Sequence, residues 1–434
     1  MAGIDPFPLG KSNVQNVILM HKTEQKRFFK NVSILASGSV ISQAILFAVS
    51  PILTRLYTPE QFGNFQLFMS LSLLTGVLVT GKMELAIVLP KSEAEGRRIT
   101  QTSILFSIMA SAAVLVIFQL FSPLLLKNAY FQNHPHWLYW IPVSNLLGGC
   151  ISSVLLWIQR KEKYLKNTLV SIAQALLTTV LNIVIAYSSA QQEGLFWAFL
   201  LTQFILTLVL MGGEPLFAEF WDWAATRRIL KQYIEFPKFM LWSEFLLTVN
   251  QQVVPIVFGF LYAPTTVGLF YLAIRILRVP TLVISNAVGN VFKNDAINTF
   301  RETSDFQPLF RATLKRMVVL GIVPFTVLLF AAPAFFTFFF GEKWRLAGTF
   351  AQALSVMLFF EFITVPFLPV YIITQKTKLN LLAQTINTIF SLLGIFIGYF
   401  MFNDAYYSIL FFAGFNIIIY SLNLFLTYKL AKNN

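Results

Sequence analysis

Two arginines three positions apart, Arg275 and Arg278, interrupt the apolar run Tyr-Leu-Ala-Ile-Arg-Ile-Leu-Arg-Val-Pro at 271–280. A charge at the centre of a bilayer costs at least about 2.5–3.5 kcal/mol, so such residues face a wet cavity or a partner. Three positions apart on a helix is one face, and two like charges on one face require anions. Glu84, Glu244 and Glu361 are the acidic residues inside apolar runs that can supply them. A ligand can also supply them, because the planar guanidinium fork matches phosphate oxygens. Two readings therefore stand. In one, Arg275 and Arg278 pair with Glu244 and Glu361 and serve packing. In the other, they line a cationic cavity that accepts an anionic headgroup. Lys82 is a third cation in apolar sequence; two positions from Glu84 on a helix, it points to a different face, so no pair between them is expected. Polar side chains gather at Ser243, Glu244, Asn250, Gln251 and Gln252, and again at Ser33, Ser37, Ser39, Ser42 and Gln43. They suit interhelical hydrogen bonds or the lining of a sugar-accepting cavity.

Other chemistries are missing their parts. Gly76-Val77-Leu78-Val79-Thr80-Gly81-Lys82 imitates a phosphate-binding loop, but Met83 stands where a magnesium-binding hydroxyl belongs, and the segment is apolar. His134-Pro135-His136 has no further ligand nearby in sequence, so no metal site is expected. The lone Cys150, beside Gly148 and Gly149, forms no internal disulfide and reads as a small packed residue. Gly394 and Gly398 form a small-xxx-small packing pair.

The elements that must hold these residues are helices in lipid. Of 434 residues 56% are hydrophobic and 12% charged, with a mean hydropathy of +0.69, about half the charge of soluble domains. Apolar runs of roughly 20 residues place spans at about 34–54, 64–89, 102–126, 138–158, 167–187, 194–212, 239–262, 266–290, 317–340, 350–373, 380–402 and 407–428. The net charge of +13 lies in the short connections, which excludes a nucleic-acid partner. With the N-terminus inside, inner segments carry twenty-five lysines and arginines; outer ones carry Lys127, Lys343 and Arg345, with Arg55 at a helix end. Both termini are thus expected in the cytoplasm. The expected organisation is a cytoplasmic segment over 1–30, a six-helix lobe over 31–213, a cytoplasmic linker over 214–238 and a second lobe over 239–434. No cleavable leader is expected ahead of the first span, and Met20 is an alternative expected start.

An internal repeat supports two halves. Leu-Tyr-Thr-Pro-Glu-Gln-Phe-Gly-Asn-Phe at 56–65 returns as Leu-Tyr-Ala-Pro-Thr-Thr-Val-Gly-Leu-Phe at 261–270. Each copy joins the first two helices of a half. Six helices per half give both halves one orientation, related by an axis along the membrane normal.

Residues 50–65, Ser-Pro-Ile-Leu-Thr-Arg-Leu-Tyr-Thr-Pro-Glu-Gln-Phe-Gly-Asn-Phe, followed by Lys-Met-Glu-Leu-Ala-Ile-Val-Leu-Pro at 82–90, resemble the N-terminal signature of bacterial O-antigen and polysaccharide flippases. Arg-Ile-Leu-Arg-Val-Pro at 275–280 and Phe-Gly-Glu-Lys-Trp at 340–344 resemble that family's second half. The resemblance implies a multidrug-and-toxin-extrusion-like, all-α polytopic fold with two six-helix lobes about a central cavity. It implies a flippase, not an enzyme, that moves undecaprenyl-diphosphate-linked oligosaccharide across the bacterial inner membrane by alternating access, for O-antigen, common-antigen or capsule assembly. The polysaccharide polymerase and chain-length regulator are the implied protein partners; no cofactor is expected. Expected substrate-binding residues are Arg275, Arg278, Lys82, Arg55, Asn250 and Gln251, with Glu84, Glu244 and Glu361 as coupling or charge-pair residues and no metal ligand. Membrane potential, proton and sodium remain open as driving forces. A lipid II flippase and a cation-coupled multidrug exporter of the same fold are the alternatives.

Overall fold

A computed structural model describes residues 37–126, 129–217, 222–303 and 305–432. The expected 1–30 segment, the alternative start at Met20 and Ser33 lie outside them. Among the described residues twelve helices are long and apolar enough to cross a membrane. They are α1 (Ser37–Leu56), α2 (Pro59–Val79), α3 (Glu93–Leu125), α4 (Trp137–Arg160), α5 (Tyr164–Ala186) and α6 (Gly194–Gly212), followed by α7 (Leu241–Leu261), α8 (Pro264–Thr303), α9 (Gln307–Phe340), α10 (Arg345–Thr364), α11 (Thr377–Phe402) and α12 (Ala405–Leu430). The fold is all-α, in two six-helix lobes. Large apolar side chains such as Leu120, Phe330, Phe338 and Phe400 are exposed, as a lipid-facing surface requires.

Several boundaries depart from the apolar runs. The second span ends at Val79, ten residues before the expected limit. Gly81 and Lys82 adopt positive φ of 56° and 57°, which no helix continues through, and a 3₁₀ turn follows over Met83–Val88. Lys82 and Glu84 therefore sit on a turn, and the argument from opposite helix faces fails. The tenth span breaks at Pro366 and Pro369 into short turns. Helices α3, α8 and α9 overrun their apolar cores by polar turns, reaching 33, 40 and 34 residues.

The lobes meet where the repeat predicts kinship. Helix α2 packs along α8. A methyl group on Gly63 would collide with the Pro264 carbonyl, and one on Gly268 with the Pro59 carbonyl. The four positions are two pairs related by the repeat offset, so the crossing is reciprocal. The paired tyrosines behave alike. Tyr57 donates to the Asn182 carbonyl at 2.6 Å, near the end of α5, while the Tyr262 hydroxyl lies 2.6 Å from Ser408 Oγ, at the start of α12. Each tyrosine thus ties its turn to the last helix pair of its own half. Only the first copy has a side-chain cap: Thr58 and Gln61 form a capping box, and Ala263 has no oxygen for one. We term this the Pro–Gly end. It is fastened further by the α9–α10 turn, where Lys343 Nζ donates to the Tyr57 carbonyl at 2.7 Å and Trp344 Nε1 to the Thr54 carbonyl at 2.8 Å.

The opposite, lysine-rich end is organised by Glu214. Its carboxylate, 3% exposed, accepts from Lys166 at 2.7 Å, Lys161 at 3.3 Å and Trp157 Nε1 at 3.2 Å. Burial raises this carboxyl's pKa, but the bonds and charges of Lys166 and Lys161 outweigh it and hold the pKa below the usual range. An amphipathic helix, Trp223–Gln232, follows, capped by Asp222 and packed against α3.

A central cavity and its charges

A cavity of about 600 Å³ opens among α2, α7, α8, α10, α11 and α12, mostly within the second lobe. Its depth follows from helix geometry. Arg278 lies fourteen residues into α8, roughly 20 Å from the Pro–Gly end at 1.5 Å per residue. Asn250 and Gln251 lie midway along α7. The walls are rich in amides: Gln66 from α2, Asn250, Gln251 and Gln252 from α7, Gln384 and Asn387 from α11, and Asn416 from α12. Each amide both donates and accepts. Phe270, Tyr271 and Tyr420 add aromatic surface.

The charges divide differently from either sequence reading. Arg278 lines the cavity, and its Nε donates to Glu361 Oε1 at 2.9 Å, with a second guanidinium nitrogen on the same oxygen. Glu361 is 4% exposed, and Tyr420 stands beside both members of the pair. Arg275 makes no ion pair among the described residues; its guanidinium lies 5.8 Å from the Tyr271 ring centre, within cation–π range. Glu244 pairs with Lys82 instead, 3.6 Å away, and Lys82 Nζ also lies 4.0 Å from Glu84. The expected separation of Lys82 from Glu84 is thus corrected, because the backbone turns at Lys82. Of the two arginines expected on a cationic cavity, Arg278 lines it and is paired with Glu361, and Arg275 packs on the Tyr271 ring and is not on the wall.

The remaining expected residues fall at the two ends. Lys82 and Glu244 join the turn after α2 to the start of α7 at the lysine-rich end, bordering a smaller recess of about 180 Å³. Arg55 lies at the Pro–Gly end, where its carbonyl accepts from Lys343 at 3.2 Å. Sequence reasoning missed Gln66, Gln384, Asn387, Asn416 and Tyr420. The spacing of Gln384, Asn387, Thr388 and Ser391, one helical stripe, was the available signal. It also missed that Glu193, distant in sequence, reaches His134 and His136, which corrects the expectation of no further ligand there.

The fold has known counterparts. The lipid II flippase MurJ, in an inward closed conformation, superposes with a TM-score of 0.69 at 14% identity, over 91% of this chain and 87% of that one. An inward-facing multidrug resistance MATE family transporter of the MOP superfamily gives 0.59 at 12% identity, over 92% and 96%. A MOP superfamily transporter from Pyrococcus furiosus, noted for the reverse polarity of its binding pocket, gives 0.56 at 11% identity, over 93% and 97%. No curated protein matches the sequence. The family model for polysaccharide biosynthesis proteins matches residues 52–348. Family and fold neighbours are transporters and flippases, not enzymes. Spanning most of the chain and including both copies of the repeat, that match makes this a member of the polysaccharide biosynthesis protein family, built on the flippase and multidrug-transporter fold.

Proposed function

We propose that the protein flips undecaprenyl-diphosphate-linked oligosaccharide from the cytoplasmic to the periplasmic leaflet of the inner membrane, for O-antigen, common-antigen or capsule assembly. The observation that carries this is the amide-lined cavity in a polysaccharide-biosynthesis chain. Amides and aromatic faces are the chemistry that holds sugar hydroxyls and ring faces. At about 600 Å³ the cavity lies in the range of small-ligand sites, about 300–1,000 Å³, so it takes part of an oligosaccharide at a time. Arg278, on the cavity wall, and Arg275, which lies behind Tyr271 of that wall and has no ion-pair partner among the described residues, are assigned to the diphosphate, and Asn250 and Gln251 to the glycan. Lys82 and Arg55, at opposite ends, are entry and exit contacts. With both termini cytoplasmic, the Pro–Gly end is periplasmic and closed. No cofactor takes part; the polymerase and chain-length regulator receive the product.

Two negative charges moved outward are helped by an inside-negative potential, worth about 2.3 kcal/mol per charge per 100 mV. That potential is the proposed drive, with Glu84, Glu244 and Glu361 balancing the fixed cations. The resemblance to MurJ favours one second reading, a lipid II flippase. A cation exporter is disfavoured because no acidic side chain lines the cavity among the described residues, and the nearby Glu361 is occupied by Arg278.

The test is translocation of lipid-linked oligosaccharide in reconstituted vesicles under an imposed potential. Losing a charge-assisted contact of about 1.5–3 kcal/mol lowers transport roughly 10- to 100-fold in Arg275→Ala, and Arg275→Lys restores it in part. Undiminished transport in Arg275→Ala moves the diphosphate site elsewhere, to Lys82 first. Transport of lipid II but no other glycan selects the second reading.

A further inference from the structure

Two of the chain's three histidines, His134 and His136, converge on a single carboxylate. Glu193 Oε1 lies 2.8 Å from His134 Nδ1, and Oε2 lies 3.0 Å from His136 Nε2. All three donor groups fall within 4.8 Å of one another. The flippase reading uses none of them. They sit at the Pro–Gly end of the first lobe, the histidines just before α4 and the glutamate in the turn just before α6.

The cluster is built and held in place. The His134 ring stacks on Trp137, centroids 4.4 Å apart at 14°, and His136 meets Phe196 edge-on at 5.8 Å. Trp137 and Phe196 are both 1% exposed, so the rings are held against a fixed wall. The three side chains are partly shielded, at 16%, 36% and 21% exposure. A void of about 10 Å³ adjoins His134 and Glu193, edged by Gln61, Asn64 and Gln192; it has the size of one small occupant.

We infer that His134, His136 and Glu193 form a binding site for a divalent transition metal, with zinc the best-matched ion. Two imidazoles and a carboxylate are the mixed nitrogen and oxygen donors that zinc takes, whereas magnesium and calcium take oxygen throughout. At metal–ligand distances of about 2.0–2.2 Å, tetrahedral donors stand roughly 3.3–3.6 Å apart. The present contacts need to open by about half an ångström. The metal replaces the protons shared between the rings and the carboxylate, with each ring proton moving to the other nitrogen or to solvent. Water completes the fourth position. The ion ties the α3–α4 loop to the α5–α6 loop. The second loop is already bonded to the α1–α2 turn, through Gln61 Nε2 to the Gln191 carbonyl and Gln191 Nε2 to the Leu56 carbonyl, both at 3.1 Å. Metal binding thus braces the first lobe's half of the closed end.

The experiment uses the full chain, purified without a histidine tag, stripped of metal and titrated with zinc chloride by calorimetry, with bound zinc counted by elemental analysis. One zinc per chain is expected. Glu193→Gln and His136→Ala each weaken binding at least about tenfold, no less than losing an outer-shell partner of a metal site. Thermal melts without metal confirm that the variants fold, and zinc raises the melting temperature of the wild type only. A wild type that holds no zinc overturns the inference, as does equal uptake by Glu193→Gln or a site that takes calcium equally well; the cluster is then a proton-sharing ion pair alone.

Discussion

Arg278 and Glu361 depend on each other more than either depends on the cavity. Removing the arginine leaves a buried carboxylate without its cation; because 44% of the Arg278 side chain is exposed, the loss is about 1–3 kcal/mol, below that of a fully buried pair. Arg278→Ala is therefore expected to lower the detergent melting temperature sharply. The double variant Arg278→Ala with Glu361→Gln recovers most of that loss, and its failure to recover would show that the pair is not the source. Glu214 gives a second residue-scale outcome. Its lowered pKa makes it stabilising above the free glutamate value, about 4.3, and this contribution is lost as pH falls through the lower folded value. Glu214→Gln is expected to cost about 2–3 kcal/mol at pH 7, at the modest end for a buried pair because both lysines reach solvent. In melts followed from pH 7 to pH 3, the gap between variant and wild type should close on the acid side. At this scale the sequence was only partly legible. That Arg275, Arg278 and Glu361 were special follows from charge in apolar runs. Which acid meets which base does not, because Glu361 lies 83 residues from Arg278 and Lys82 finds Glu244 only after a backbone turn.

Helices were far more legible than their contacts. Runs of apolar residues count spans because lipid demands them, and twelve is recovered. One end was misplaced where local chemistry overrides hydropathy, at Gly81 and Lys82, whose positive φ stops α2 inside an apolar run; in the tenth span the end at residue 373 is recovered, but Pro366 and Pro369 break the helix before it. The α2–α8 crossing is where the two lobes approach with backbone against backbone. A methyl at Gly63 or Gly268 meets backbone, which cannot swing aside as a side chain can. Gly63→Ala and Gly268→Ala are each expected to part the Pro–Gly end and to impair transport to a similar degree, because the contacts are reciprocal. Thiol labelling of a cysteine at Asn64, before and after either substitution, reads this directly; unchanged protection in both variants would remove the crossing as the closing contact.

For the molecule as a whole, orientation is the property on which the direction of transport rests. Cys150 is the chain's one cysteine and is buried, so single cysteines can be placed in a Cys150→Ala background. Cysteines at Asn133 and Asn403 are expected to react with an impermeant thiol reagent from outside intact cells, and those at Lys163 and Lys376 are not. The reversed pattern would invert the proposed export, and reaction at all four would contradict the helix count.

The paired glycines also express a symmetry between the lobes. A contact in which residue i of one half meets residue j of the other, and j of the first meets i of the second, is the contact of a two-fold homodimer. Pro59 with Gly268 and Pro264 with Gly63 is that arrangement inside one chain. An even number of helices in each half gives both copies the same direction through the bilayer, which a two-fold axis along the membrane normal requires. The interface between lobes thus has the form of a two-fold subunit interface within a single chain. Within that shared geometry the two halves differ. The first half carries the threonine cap and two histidines facing a glutamate, and the second carries most of the amide-lined cavity and its arginine.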